Sequence, residues 1–426
     1  MPTPVDMTKC PLHEVDTFDP EFLQDPHPFY RRLREEAPVY RDPKNGIVYV
    51  STYAHVMEAL AKPRIFSNGF ARQLRAGASG GGASARERAI SARGWQPADT
   101  LLTADPPIHT RYKKLAGRAF TQRRVATMNA YVETVIHELL DGFTGDGRCE
   151  FKSQFANLLP MYVICDALGF DRAHRDHFRA WSDAFTLQLS GMATPDQRIW
   201  CAEQIVEAQH YFVEVCDQRR RAPQDDVCSD LVTARLEDEA GNERPLSPEE
   251  LISVIQQILV AGNETTAHTL TTGIYYLLTN PEALERLRSR PALVGNFVEE
   301  CLRMLTPTNN MWRVATETTE LGGVPIAKGD LLLLRFGSAN RDEAKFPDGD
   351  RFDIERENAQ EQIAFGAGVH LCLGQLLARK EMQQAFPIIL ERLPNMRLLD
   401  PPERFRYVPS ILLRGVERLE LAFDPS

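Results

Sequence analysis

The run Phe365-Gly366-Ala367-Gly368-Val369-His370-Leu371-Cys372-Leu373-Gly374 sets one cysteine in a glycine-rich turn, and a mostly apolar stretch of helical character, Leu373 to Ala378, follows it. A thiol at the N-terminal end of a helix meets the positive end of the dipole and free backbone N–H groups, so the sequence predicts a lowered pKa and a ready thiolate. Thiolates bind soft metals. The glycines remove Cβ atoms where a flat macrocycle would need the backbone to come close, and His370 is placed to donate to a carboxylate on its rim.

A zinc or iron–sulfur site takes several cysteines at short spacings, whereas haem iron needs one axial ligand from this side. Phe365, Gly366, Gly368, His370, Cys372 and Gly374 resemble the haem-binding signature of the cytochrome P450 monooxygenases, with Cys372 where that family has its thiolate ligand. Taken alone, the run is also compatible with a buried structural cysteine. The resemblance implies a mainly α fold with small β-sheets, and haem b between a long central helix and the cysteine loop. It further implies one domain over residues 1–426, with 1–19 poorly ordered.

Composition narrows the partners. The net charge of −10 over 426 residues argues against nucleic acid, which is gripped through a basic surface. The most apolar long stretch, Ile252 to Leu278, is broken by Gln256, Gln257, Asn263, Glu264 and His268, so no membrane span is expected. Met1 to Thr17 is polar and mildly acidic, without the apolar core of a secretion signal. Cysteines at 10, 149, 165, 201, 216, 228, 301 and 372 show no paired spacing, which suits a reduced, cytoplasmic protein. A monomer is expected.

In chain order, Phe22, Leu23, Phe29 and Leu33 read as a short amphipathic helix entered through Asp25-Pro26. Gly46 to Ser51 reads as a strand and Tyr53 to Ala61 as a helix. Ala71 to Gly94, with Gly80-Gly81-Gly82 and many Ala, Ser and Arg residues, lacks periodicity and reads as a mobile loop, either plainly solvated or a lid over the substrate pocket. Arg72, Arg75, Arg86 and Arg93 could steer an anion or simply be solvated. After Asp105-Pro106-Pro107 a helix carries His109 and Lys113 one turn apart, within reach of one anion. They match the His and Arg that the family sets against a haem propionate, with Lys replacing the bidentate Arg. Arg111, Lys114 and Arg118 add basic charge there, a docking face for an acidic ferredoxin or a solvated face. Met128 to Gly169 and Arg172 to Arg221 are helical by periodicity, and some large residues between Phe178 and Trp200 are placed to line a lid.

Ser247-Pro248-Glu249-Glu250 is a capping-box start, and no proline recurs until Asn280-Pro281. The helix between has roughly thirty residues, about 45 Å at about 1.5 Å per residue. In its middle, Ala261-Gly262-Asn263-Glu264-Thr265-Thr266 breaks the local rules for a buried helix. Gly costs about 1 kcal/mol there, and an acid near a core is costly unless paired. Ile258, Ala261, Gly262 and Thr265 share a face, so the small pair opens a hollow beside a hydroxyl. This resembles the family's oxygen-activation motif, with Thr265 as the alcohol and Glu264 as the acid; a Gly-kinked core helix is the plainer reading.

Glu300-Cys301-Leu302-Arg303 lies on a helix from Pro291 to Leu305 and, by resemblance, forms a buried ion pair bracing the loop before Cys372. Trp312-Arg313 opens β structure, Arg313 matching a propionate-binding arginine, with Thr308 to Trp312 beside the pocket. Leu321 to Ile326 reads as a hairpin, Leu331 to Phe336 as a buried strand, and Leu373 to Leu390 as the last helix. Arg406 to Leu421 reads as a terminal hairpin whose tip at Ser410-Ile411-Leu412 approaches substrate.

The resemblance thus implies insertion of one oxygen atom from O2 into a hydrophobic small molecule. Electrons would come from NAD(P)H through a separate ferredoxin and its reductase. Cofactor-binding residues would be His109, Lys113, Ala261, Gly262, Arg313, Phe365, Gly366, His370, Cys372 and Gly374. A peroxide-using enzyme of the same fold, or a non-catalytic haem-thiolate sensor or carrier, are the competing readings. The pairing of Glu264 with Thr265 speaks against both.

Overall fold

The computed structural model describes residues 10–71, 83–190, 192–237 and 241–425. Its longest element is the central helix Pro248–Thr279, 32 residues long. The expected capping box is there: the Ser247 hydroxyl accepts from the Glu250 N–H, and the Glu250 carboxylate accepts from the Ser247 N–H. Glu250 also accepts two bonds from Arg244, each 2.7 Å, and one from the Tyr112 hydroxyl at 2.5 Å. The chain leaves the helix at Asn280, just before Pro281.

Helices Leu158–Leu168, Arg175–Ser190, Pro195–Arg221, Val294–Leu305 and Gln375–Arg392 all pack against this rod. Their buried residues, among them Val163, Phe185, Phe212, Phe297 and Phe386, join those of the rod in one apolar core. Each such side chain contributes about 1.5–3 kcal/mol on burial. The contact is closest at Gly273, where a Cβ would fall 2.5 Å from the Phe386 ring.

A five-stranded sheet covers a second, smaller core. Its strands are β1 Val39–Arg41, β2 Val48–Val50, β3 Phe66–Ser67, β4 Met311–Ala315 and β5 Leu331–Leu334, in the order β1-β2-β5-β4-β3. Only β2 and β5 run parallel. Val48 to Val50 and Leu332 to Leu334 are wholly buried, as an unbroken apolar run in a doubly covered strand requires. The expected hairpin at 321–326 forms between Thr319–Leu321 and Val324–Ile326, turning on Gly322 and Gly323 at φ 56° and 79°.

Three expectations are corrected. The loop over Ala71 to Gly94 contains a helix, Ala85–Ser91, closed by a Ser84/Glu87 capping box; Arg72, Arg75 and Gly80 to Gly82 lie outside the described residues. Of the segment 1–19, expected to be poorly ordered, residues 1–9 lie outside the described residues, whereas Val15 and Thr17 are buried and the Thr17 hydroxyl lies 2.8 Å from that of Tyr49. The terminal hairpin shrinks to one bridge, Tyr407 with Val416, because strand Glu420–Ala422 pairs with Arg397–Leu398 and Arg148–Glu150 instead. Among the described residues no helix is long and apolar enough to cross a membrane.

Candidate active site

Between the central helix and the cysteine loop lies a cavity of about 520 Å³. Its floor is Phe365, Gly366, His370, Cys372 and Gly374; across it stand Ile258, Ala261, Gly262, Glu264 and Thr265. Two parts of the chain more than a hundred residues apart are thus brought face to face. Thr308, Met311, Trp312, Ser410, Leu412 and Phe185 complete the walls, whereas Asn309, Asn310, Ile411, Trp181, Arg86 and Arg93 do not line it.

The floor is shaped by backbone. Gly366 and Gly368 take φ 69° and 67°, which folds the loop back so that the Cys372 N–H donates to the Phe365 carbonyl at 2.9 Å. The helix Gln375–Arg392 then starts with Gly374 as its cap. The N–H groups of Gly374 and Gln375 donate to the Cys372 sulfur, as expected, and Lys113 and Arg379 add positive charge. The lowered thiol pKa is nevertheless corrected: burial outweighs these donors and moves the Cys372 thiol above its ordinary value. A thiolate here needs a cation directly on the sulfur.

The basic residues at the floor's edge have an equally unfinished set of partners. His109 and His370 lie with ring centres 4.0 Å apart, and His109 Nδ1 and His370 Nε2 are buried without hydrogen-bond partners. Burial, His109, Arg313 and Lys113 push the His370 imidazole down to about 3. Burial likewise pulls the Arg313 guanidinium down to about 10, opposed by Asp105. A cluster of this kind asks for anionic oxygens. A Cβ on Gly374 would meet no protein atom within 4 Å, so the space above the loop is open. Sulfur wanting a cation, donors wanting carboxylates and an open slot between them fit an iron porphyrin.

Lys113 lines the cavity with His109. Its ammonium also donates to the carbonyls of Val369 and Leu371 at 2.6 and 2.8 Å, which braces the loop. Glu300 and Arg303 form a bidentate pair at 2.7 and 2.8 Å, both with wholly buried side chains. Sequence reasoning missed its extension: Arg356 stands 3.3 Å from Glu300, and Arg303 and Arg356 together donate to the carbonyls of Asn340, Pro347, Asp348, Gly349 and Arg351. Arg379 was missed too. It binds Glu299 at 2.6 Å and lies 4.4 Å from the Phe365 ring centre, one helical turn beyond the loop; its spacing from Cys372 was the available signal.

On the central helix the Thr265 hydroxyl donates to the Ala261 carbonyl at 3.0 Å. Glu264 lines the cavity, its carboxylate 3.2 Å from His268 Nε2. A Cβ on Gly262 would come 3.3 Å from Ile164, which lines the same cavity.

With the geometry in view, comparison with known proteins identifies the class. The family model described as Cytochrome P450 matches residues 175–290 and 292–402. Cytochrome P450 107B1 of Saccharopolyspora erythraea is 37% identical, covering 97% of this chain and 98% of its own. The steroid C26-monooxygenase of Mycobacterium tuberculosis is 34% identical over 99% of each. The solved structure of cytochrome P450 CREJ with (4-ethylphenyl) dihydrogen phosphate superposes with a TM-score of 0.88 at 27% identity, covering 97% of this chain and 100% of that one. The chain belongs to the cytochrome P450 family. It is therefore a haem b enzyme of the monooxygenase class, using O2 and electrons from NAD(P)H passed through redox partners.

Proposed function

We propose that this enzyme, acting as a single-domain cytoplasmic monomer, oxidises a mostly apolar small molecule by hydroxylation or a related oxygen insertion, with electrons from a separate ferredoxin. The observation that carries this is the cavity bounded by Cys372 on one side and the Ala261-to-Thr265 segment on the other, with Ile164, Phe185, Met311 and Leu412 among its walls. Such a lining favours an apolar guest that excludes water.

Cys372 would hold the haem iron, with the Gly374 and Gln375 amides supporting its sulfur. His109, Arg313 and His370 would take the propionates, and Lys113 would add charge while keeping the loop in place. When bound, the haem would supply the oxygen-inserting chemistry, which ligation by the Cys372 thiolate would favour. Ala261 and Gly262 leave room opposite the sulfur. The Thr265 hydroxyl, released from the Ala261 carbonyl by a side-chain rotation, would present its proton to the cavity, and the Glu264 carboxylate would take up a proton from solvent and pass it to the Thr265 oxygen. Arg111, Lys114 and Arg118, beside the exposed apolar side chains of Ile108, Val369, Leu371 and Leu376, offer a mixed face for an acidic ferredoxin.

The relatives include a steroid C26-monooxygenase and a vitamin D(3) 25-hydroxylase, both consistent with an apolar guest. The test is a screen of steroids, terpenoids, fatty acids and aromatics against the purified holoenzyme for a low- to high-spin shift, followed by product analysis. Binding of none of them, with polar compounds shifting the spin state instead, would overturn the reading. Cys372→Ser is expected to abolish the red-shifted Soret band of the reduced carbon monoxide complex; a retained band would mean that another residue is the ligand.

A further inference from the structure

Among the buried titratable residues that the mechanism above leaves unused is His268, one turn beyond Glu264 on the central helix. Its Nε2 faces the Glu264 carboxylate at 3.2 Å, and its side chain is 4% exposed. Its other nitrogen, Nδ1, is buried with no partner. The ring is pinned from the C-terminal side: a Cβ on Gly415 would fall 1.9 Å from Nδ1, so only glycine allows the backbone to lie on the imidazole. A proton on Nδ1 would have no acceptor there, and the ring therefore presents its Nε2–H to Glu264.

From this contact we infer that His268 is a positioning residue, which fixes the Glu264 carboxylate in its ionised form and in one orientation beside the cavity. The inference rests on the relay role proposed for Glu264. Burial alone would push the Glu264 carboxyl up, but the His268 hydrogen bond, with Lys152 and Arg179, reverses this and holds it below its ordinary value. Among the described residues, the charged groups that act on Glu264 come from three elements. His268 comes from its own helix, Lys152 from the turn Lys152–Ala156, and Arg179 and Asp183 from the helix Arg175–Ser190. Of these only Asp183 opposes ionisation. Lys152 also donates to the Val416 carbonyl at 2.7 Å, so the segment that pins His268 holds this cation as well. Lys152 and Arg179 act through the field alone; His268 is the one that touches.

The experiment compares holoenzymes carrying His268→Leu and His268→Gln by infrared difference spectroscopy across pH. The protonated Glu264 carboxyl is identified as the band removed by Glu264→Gln. In the parent this band is expected to be absent at pH 7. In H268L it should be present at pH 7 and titrate at least one pH unit higher, and peroxide formed per electron pair should rise severalfold toward the E264Q level. H268Q, whose amide still offers an N–H at similar reach, should restore both. A carboxyl band that does not move in H268L overturns the inference, as does an H268Q that behaves like H268L. The infrared arm does not depend on turnover. A shifted band with unchanged coupling in E264Q would refute the relay while leaving the His268 contact standing.

Discussion

The two walls of the cavity are held by different forces. The loop that carries Cys372 is held by charge: the buried Glu300 with Arg303 and Arg356, Glu299 with Arg379, and the partly exposed Lys113 ammonium on the carbonyls of residues 369 and 371. On the other side, the segment from Trp95 to Leu102 is tied to the long helices by neutral groups. Ser253 accepts from the Ala98 N–H at 2.9 Å, Gln257 accepts from the Leu102 N–H at 2.8 Å and donates to Thr100, and Gln209 bonds Trp95 twice. A buried ion pair is costly to form and costlier to break singly, whereas a neutral hydrogen bond contributes less and its partners can turn to water when the segment moves. The floor is therefore fixed, and the rim can yield without unfolding the protein.

The largest effect should come from the floor. Glu300→Ala leaves Arg303 and Arg356 buried without their carboxylate and is expected to cost about 3–5 kcal/mol, measured by denaturant unfolding together with loss of haem. A loss below 1 kcal/mol would mean that the backbone carbonyls alone hold the two arginines. The face opposite the sulfur should respond quite differently. Thr265→Ala removes a hydroxyl bonded only within its own helix, so stability and haem content should hold while reducing equivalents are diverted severalfold toward peroxide. Unchanged coupling would remove Thr265 from the relay.

Between the walls, at the start of the central helix, Glu250 gives a pH test. Burial pushes its carboxyl up, but hydrogen bonds from Arg244, Tyr112 and the Ser247 amide more than compensate and hold it below the usual carboxylate value. A depressed folded-state pKa stabilises fully above the unfolded value and is lost as pH falls through the folded one. Glu250→Gln should therefore cost about 1 kcal/mol at pH 7, with the gap to the parent narrowing as pH drops below about 4. A gap independent of pH would place the effect in packing.

The same contrast explains what could be read in advance. The floor is made of local patterns: a cysteine among glycines, an acid and an arginine three residues apart, a serine with a glutamate three residues on. Each reports its geometry within a few residues, so Cys372, Glu300, Arg303 and the span of the central helix were legible. Arg356 was not, because its partner is set by tertiary packing; Arg379 and His268 stand at helical spacings, from Cys372 and from Glu264, that were there to be read. Thiol ionisation misled for a related reason, since local donors can be counted from sequence but burial cannot. The helix Ala85–Ser91 was missed although Ser84 and Glu87 signal its start; the glycine and alanine around it hid any apolar period.

The smallest effect should be at the rim. Gln257→Leu deletes two neutral bonds of 2.8 Å each that hold Thr100 and Leu102 against the central helix. In isolation each contributes about 0.5–1.5 kcal/mol, but the Leu102 amide and Thr100 hydroxyl can turn to water if the segment relaxes. The unfolding free energy should then change by less than about 1 kcal/mol. Because Leu102, Gln257 and Ala98 all line the cavity, the same variant should alter the affinity of a spin-shifting guest severalfold. Unfolding and ligand titration on one preparation separate the two quantities. If Q257L destabilised the protein as much as E300A, the rim would be as rigid as the floor. If it left guest affinity untouched, the segment would be no part of the route by which the cavity admits its substrate.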